Sequence, residues 1–201
     1  RTLARRRDAL SRVTPISLGI PDIMLNYQSP ARAPENKDID VFFAGRIKGS
    51  STVRERGAEE LAMLSSEGMR IAIHEDRIDP SDYLDRCARA WLVWAPEGYG
   101  WDCFRAYEAA LVGSLPLLSR QTIERYEPLI DGEHAIYYDI EPGQLAKTVR
   151  QALQQKSRLT RMSEAARAHV LKYHTPRVLA QHVAHATLNA AHQMQPNATC
   201  E

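Results

Sequence analysis

The chain has 201 residues, of which 44% are hydrophobic and 25% are charged, so it can bury one sizeable core as a globular domain. Its formal net charge of +1 gives no general attraction to nucleic acid, and the spacings of its three cysteines fit neither a disulfide framework nor a zinc site. We therefore expect no nucleic-acid partner. No apolar run is long enough to span a membrane, so we also expect no integral membrane segment.

Residues 1–37 carry the weakest pattern in the chain. A basic run at residues 5–7 favours a solvated helix that extends to about Arg12, although such a run could also touch a membrane surface or a partner. A short strand is predicted at 22–25, and the Pro-rich polar stretch 29–37 is typical of an interdomain linker. We therefore divide the chain into an N-terminal helix and linker, 1–37, which could be the remnant of a preceding domain, and a main domain, 38–201.

From residue 40 onward, apolar strands alternate with helices, which indicates a parallel sheet with helices on both faces. Strands are predicted at 40–44, 69–74, 90–94 and 115–118. The intervening helices are predicted at 52–65, from Asp79-Pro80, and from a cap at Asp102 to Gly113. The predicted fold class is α/β, a Rossmann-like, doubly wound parallel sheet.

The remainder of the chain is predicted to be mostly helical. We expect a short irregular helix at 123–129, a turn at Asp131-Gly132 and a final strand at 134–138. Three C-terminal helices follow in the prediction, at 142–155, 160–173 and 175–192.

The loop and helix that follow strand 90–94 carry the strongest functional signal. In such a unit the helix N-terminus faces the carboxyl edge of the sheet, where backbone N–H groups and the helix dipole favour a bound anion. Gly98 and Gly100 break the strand, and Arg105 and Glu108 share one face of the helix. The guanidinium could then bind a phosphate while the carboxylate accepts ribose hydroxyls; an exposed ion pair is the alternative.

A second candidate phosphate loop lies at residues 45–50, at the carboxyl end of strand 40–44. Gly45 would let backbone donors approach a ligand, and Arg46 and Lys48 could neutralise a departing diphosphate. Taken alone, this stretch also fits an exposed basic turn. Convergence with Arg105 on one edge of the sheet favours the functional interpretation.

These residues resemble the nucleotide-sugar half of glycosyltransferases of the GT-B architecture, which has two Rossmann-like domains. The similarity is greatest to the exostosin-like pattern, and residues 40–49 resemble the strand and loop that open the donor domain in these families. It covers roughly residues 38 to 175. The positions that carry it are Pro96, Gly98, Arg105, Glu108-Ala109, Gly113 and Pro116.

The resemblance implies one half of a GT-B enzyme, a hexosyltransferase-like glycosyltransferase that uses a nucleoside-diphosphate sugar, with UDP as the expected nucleotide. It implies a glycan or lipid-linked acceptor, an N-terminal acceptor domain or partner chain, and no obligatory metal or other cofactor. Arg46, Lys48 and Arg105 would be catalytic, as stabilisers of the leaving diphosphate. The donor-binding set would be Gly45, Arg46, Lys48, Gly98, Arg105 and Glu108.

Two further positions follow from the resemblance. Glu97 and Glu108 enclose ten residues, more than the glutamate pair of the commonest bacterial GT-B enzymes, so the ribose role is carried over to Glu108 only. The loop after strand 69–74 would hold the nucleobase, and Tyr99 or Trp101 could stack on a ring.

The cysteine content favours a cytoplasmic protein, peripheral to a membrane if the basic run binds one, and a Golgi lumen is the alternative for a eukaryotic source. A non-catalytic nucleotide-binding or protein-interaction module of the same fold is the second functional hypothesis. A flavodoxin-like signalling domain also fits the alternating pattern, but the basic loop does not favour it.

Overall fold

The computed structural model describes residues 13–27, 29, 32–98 and 100–194, and the side chains of 191–194 are not part of that description. The predicted basic N-terminal helix and Tyr99 lie outside the described residues. Five parallel strands form one sheet in the order β2-β1-β3-β4-β5. They are β1 (Ile39–Ala44), β2 (Ile71–His74), β3 (Ala90–Ala95), β4 (Leu115–Ser119) and β5 (Ile136–Tyr138).

Helices connect the first four strands, a loop joins β4 to β5, and the predicted doubly wound sheet is confirmed. Two apolar clusters lie on opposite faces of the sheet, and the adjacent Phe42 and Phe43 point to different ones because side chains alternate along a strand. The helices are α1 (Thr52–Ser66), α2 (Pro80–Arg89), α3 (Phe104–Leu111), α4 (Gln144–Leu153), α5 (Lys156–Tyr173) and α6 (Pro176–Met194).

Local signals fix where the helices begin and end. Ser51 Oγ accepts a hydrogen bond from Arg54 N at 3.2 Å and caps α1, while Asp79 Oδ1 accepts from Ser81 N at 2.8 Å and caps α2. Gly113 follows α3 with a φ of +83°, a left-handed conformation that glycine adopts without strain. The caps of α1 and α2 place the beginnings of both helices beside the carboxyl edge of the sheet.

Helix α1 lies unusually close to the centre of the sheet. A Cβ at Gly57 would overlap the indole ring of Trp94, so only glycine lets the helix approach strand β3 this closely. The indole is fully buried and donates from Nε1 to Tyr138 Oη at 2.9 Å. Phe43 packs against the same indole, with ring centroids 4.8 Å apart. This packing holds the first turn of α1 at the edge where β1 and β3 end.

Two segments differ from their predicted secondary structure. The predicted strand at 22–25 is a 3-10 helix, Asp22–Met24, and residues 123–129 contain no helix. Side chains hold the second segment instead: Nε2 of His169 and His174 lie 2.9 and 2.8 Å from Glu127 O. These tertiary bonds fix a loop conformation that local propensity favours less than a helical turn.

Asp102 does not cap α3, which begins after Cys103. Its Oδ2 accepts from Leu18 N at 2.9 Å, and both carboxylate oxygens lie 3.1 Å from Tyr107 Oη. Asp102 also forms a largely buried ion pair with Arg125, at 3.5 Å. The carboxylate therefore joins the N-terminal segment to α3 and to the loop at 120–130, and beside the helix it accepts from Cys103 N, at 3.2 Å, which precedes the first turn.

None of the helices within the described ranges is both long enough and apolar enough to cross a membrane.

Candidate functional site

A cleft of about 600 Å³ opens at the carboxyl edge of the sheet. In the strand order β2-β1-β3-β4-β5, the connections leaving β1 and β3 run in opposite directions, so the carboxyl ends of these two adjacent strands form the topological switch point. Ligands of open α/β sheets bind in such a crevice. The residues that line the cleft include Gly45, Arg54, Tyr83, Gly98, Arg105 and Glu108.

Arg105 brings a positive charge into this cleft. Its Nε and Nη2 donate to Ala44 O at 3.2 and 2.8 Å, and its Cζ lies 4.8 Å from the centre of the Phe43 ring. No carboxylate of the described residues forms an ion pair with it. Because a backbone carbonyl and an aromatic face hold the guanidinium without neutralising it, the group attracts an anion.

Arg54 is a second cleft arginine, and the sequence analysis missed it. Its Nε donates to Glu97 O at 2.9 Å and its Nη1 to Arg46 O at 2.9 Å, so its guanidinium ties the loop after β1 to the loop after β3. Its Cζ lies 5.7 Å from the same Phe43 ring. The available signal was its place in the first turn of α1, directly after a predicted phosphate loop.

The two predicted glycines make room for these two guanidinium groups. A Cβ at Gly98 would overlap the Arg54 guanidinium, and a Cβ at Gly45 would lie 2.9 Å from Arg105 Nη2. Gly45 also has a φ of +145°, which strains other residues. The glycines were predicted to admit a ligand to the backbone, and in the structure they admit arginine side chains beside the cleft.

Glu108 lies at the bottom of the same cleft and is only 9% exposed. Its Oε2 accepts a hydrogen bond from Tyr83 Oη at 2.7 Å. Burial raises the pKa of this carboxyl, and the hydrogen bond from Tyr83 and the charge of Arg105 oppose that rise. Glu108 and Arg105 therefore both line the cleft, and they form no ion pair at a spacing of one helical turn.

Arg46 and Lys48 are not among the residues that line the cleft. Both side chains are exposed, while the intervening Ile47 is buried in the core. The carbonyl of Arg46 accepts from Arg54, which fixes the backbone of the loop and turns it toward α1. The structure thus brings together Gly45, Gly98, Arg105 and Glu108, and it adds Arg54 at the rim nearest to Arg46.

The opposite wall of the cleft comes from the loop after β2. Asp76, Arg77 and Ile78 lie along it, the region in which the resemblance placed the nucleobase. Trp101, one of the two aromatic residues suggested for stacking, is 38% exposed, and Tyr99 lies outside the described residues. Among the residues that the structure describes, no group of three or more His, Cys, Asp or Glu could hold a metal ion.

Structural comparison shows the same fold in larger proteins. The chain superposes on sucrose-phosphate synthase from Thermosynechococcus elongatus with a TM-score of 0.61 and 18% identity, over 94% of this chain and 57% of that one. It superposes on Anabaena HepE in complex with UDP with a TM-score of 0.58 and 16% identity, over 85% and 56%. A structure of HepE in complex with UDP-glucose gives 0.57 and 16%, over 85% and 56%. The chain therefore spans little more than half the length of these proteins.

These comparisons confirm the expected fold, a Rossmann-like sheet such as forms one half of the GT-B architecture. No curated protein sequence matches the chain. A family model described as glycosyl transferase-like matches residues 46–185, which include the cleft residues named above except Ala44 and Gly45. The exostosin-like form of the pattern stays a prediction. Because the match covers most of the sequence, the chain belongs to the glycosyl transferase-like family.

Proposed function

We propose that the chain is the donor-binding part of a glycosyltransferase that takes a sugar from a nucleoside-diphosphate sugar. The observation that carries the proposal is the pair Arg54 and Arg105, whose guanidinium groups lie beside one aromatic ring at the switch point of the sheet. Two adjacent cations suit a diphosphate, which carries negative charge on both phosphates. The nucleotide we propose is UDP, because a structurally similar protein, HepE, is described in complex with UDP and UDP-glucose.

The chemistry follows from where charge develops. Breaking the bond between the sugar and the diphosphate increases negative charge on the leaving group, so cations fixed beside it lower the barrier. Arg105 is held by Ala44 O and needs no reorganisation to meet that charge. Glu108 would accept hydrogen bonds from ribose hydroxyls at the base of the cleft.

We also propose that Arg46 and Lys48 stabilise the leaving group, by contacting the diphosphate once the donor is bound. Both lie on the loop that Arg54 anchors, at the rim of the cleft, where a second domain would enclose the diphosphate. We assign them to the outer oxygens of the diphosphate and give the inner contacts to Arg54 and Arg105. Sugar transfer to a glycan or lipid-linked acceptor then requires an acceptor domain or partner chain, in keeping with the chain's share of the length of its structural neighbours.

Calorimetric titration tests the proposal. We expect the chain to bind UDP, and to bind UMP and uridine progressively more weakly, because each lost phosphate removes a partner of the arginines. Arg105→Ala should weaken UDP binding by about ten- to a hundredfold, since a hydrogen bond to a charged group contributes roughly 1.5–3 kcal/mol. Arg120→Ala is the matched control, because Arg120 is exposed and pairs with Asp131 and Asp139 away from the cleft.

Equal affinity for UDP and uridine, or an Arg105→Ala variant that binds UDP as tightly as the original chain, would contradict the proposal. The second hypothesis, a non-catalytic module, makes a different prediction. It expects UDP binding of normal strength but no release of UDP from UDP-glucose when acceptors and an N-terminal acceptor domain are supplied.

A further inference from the structure

The base of the cleft contains a hydrogen bond that the proposed chemistry does not explain. Tyr83, on α2, donates from its hydroxyl to Glu108 Oε2 at 2.7 Å, and its ring packs against Phe42 with centroids 6.0 Å apart. Both Tyr83 and Glu108 line the cleft. The bond therefore joins α2 to α3 at the floor of the site.

The bond distinguishes the two carboxylate oxygens. Oε2 accepts from Tyr83, whereas no hydrogen bond from a described residue reaches Oε1, which therefore keeps its full acceptor capacity for a ligand. A carboxylate that can rotate presents either oxygen, whereas one that is tied at Oε2 presents Oε1 in a fixed direction. Glu108 is 9% exposed and lines the cleft, so the hydroxyl of a ligand that enters the cleft can reach its carboxylate.

The titratable and charged groups that face Glu108 come from two helices. Tyr83 and Cys87 face it from α2, and Arg105 faces it from its own helix, α3. The thiol of Cys87 is buried, which raises its pKa, and it stays neutral. Tyr83 and Arg105 are thus the groups that favour the ionised form of this carboxyl, and they oppose the rise in its pKa that burial causes.

We propose that Tyr83 is a positioning residue that fixes Glu108 so that Oε1 accepts a ribose hydroxyl, which makes the site select ribonucleotide over deoxyribonucleotide donors. This inference rests on the proposed function, because it takes a nucleoside diphosphate as the ligand. Tyr83 acts through Glu108 and has no contact with the reacting atoms.

The test compares UDP with 2′-deoxy-UDP by calorimetry on the whole chain at several pH values. Because both ligands carry the same diphosphate, its own titration cancels in the ratio of their affinities. We expect the chain to prefer UDP by about tenfold near neutral pH, and the preference to decrease as Glu108 becomes protonated at acid pH, because a neutral carboxyl accepts a weaker hydrogen bond. Tyr83→Phe should reduce the preference to about twofold.

The pH profile distinguishes a positioning role of Tyr83 from a purely structural one. The acid limb is the pH range over which the ratio of UDP affinity to 2′-deoxy-UDP affinity falls. Removing the Tyr83 hydroxyl removes a bond that favours the ionised carboxylate, so the pKa of Glu108 rises and this limb moves to higher pH. A merely structural role would open the floor to water, which favours ionisation and moves the limb to lower pH. Tyr138→Phe is the matched control, because its hydroxyl bonds to Trp94 in the core; the ratio and the limb should stay unchanged.

Glu108→Gln supplies a second measurement that does not depend on Tyr83→Phe being well folded. The ratio should fall, because a neutral amide accepts a weaker hydrogen bond than a carboxylate, and it should become independent of pH. Adding Tyr83→Phe should change it no further, because Tyr83 acts through the carboxylate that the first substitution has removed. A ratio or limb unchanged by Tyr83→Phe, a limb that moves to lower pH, or a further loss in the double variant overturns the inference. If the original chain binds neither nucleotide, the proposed function itself fails.

Discussion

At the scale of single residues, the cleft depends on the space that glycines leave. Gly98 and Gly45 each lie where a Cβ would meet a guanidinium, of Arg54 and Arg105 respectively. The sequence predicted that these glycines and Arg105 belong to one site, because strand ends of a parallel sheet meet at one edge. It could not predict Arg54, whose direction depends on hydrogen bonds to two loop carbonyls distant in the chain from each other.

Gly98→Ala tests that dependence. The added methyl group forces the end of the Arg54 side chain to move, so UDP affinity should fall by about tenfold while the melting temperature changes little. Gly100→Ala is the control, because nothing lies within 4 Å of a Cβ there, and it should change affinity by less than about twofold. Thermal unfolding and calorimetry on both variants give the answer, and equal affinities would show that Arg54 has no part in binding.

At the scale of secondary structure, helix α1 couples the core to the cleft. Its cap, Ser51, and its contact with Trp94 through Gly57 set where its first turn lies. Strands and caps of this kind were predictable, since they depend on neighbouring residues. The loop at 120–130 was not, because distant histidines and Asp102 fix it, and the sequence contains no local trace of those partners.

Gly57→Ala separates local propensity from packing. Helix propensity alone favours alanine by about 0.5–1 kcal/mol, whereas forcing a methyl group against the buried indole costs about 1–3 kcal/mol. Because Trp94 is also held by Tyr138, we expect overpacking to dominate and the free energy of unfolding to decrease. Ser65→Ala, exposed on the same helix, should change it only slightly. Urea denaturation distinguishes the two outcomes, and a more stable Gly57→Ala variant would contradict the packing argument.

At the scale of the whole molecule, the strand order decides where a ligand can bind. Reversal of the winding between β1 and β3 leaves a crevice beyond the carboxyl ends of these two strands, and the residues that line it come from separate segments of the chain. This convergence was predictable from the alternation of strands and helices. The outward direction of Arg46 and Lys48 was not, because it follows from the path of one loop around the buried Ile47.

The most direct test of this account is a crystal structure of the chain with UDP bound. We predict that the diphosphate lies within hydrogen-bond distance of the Arg54 and Arg105 guanidinium groups, with a ribose hydroxyl at Oε1 of Glu108. A nucleotide bound elsewhere on the molecule, or bound in the cleft with its diphosphate away from both arginines, would contradict it.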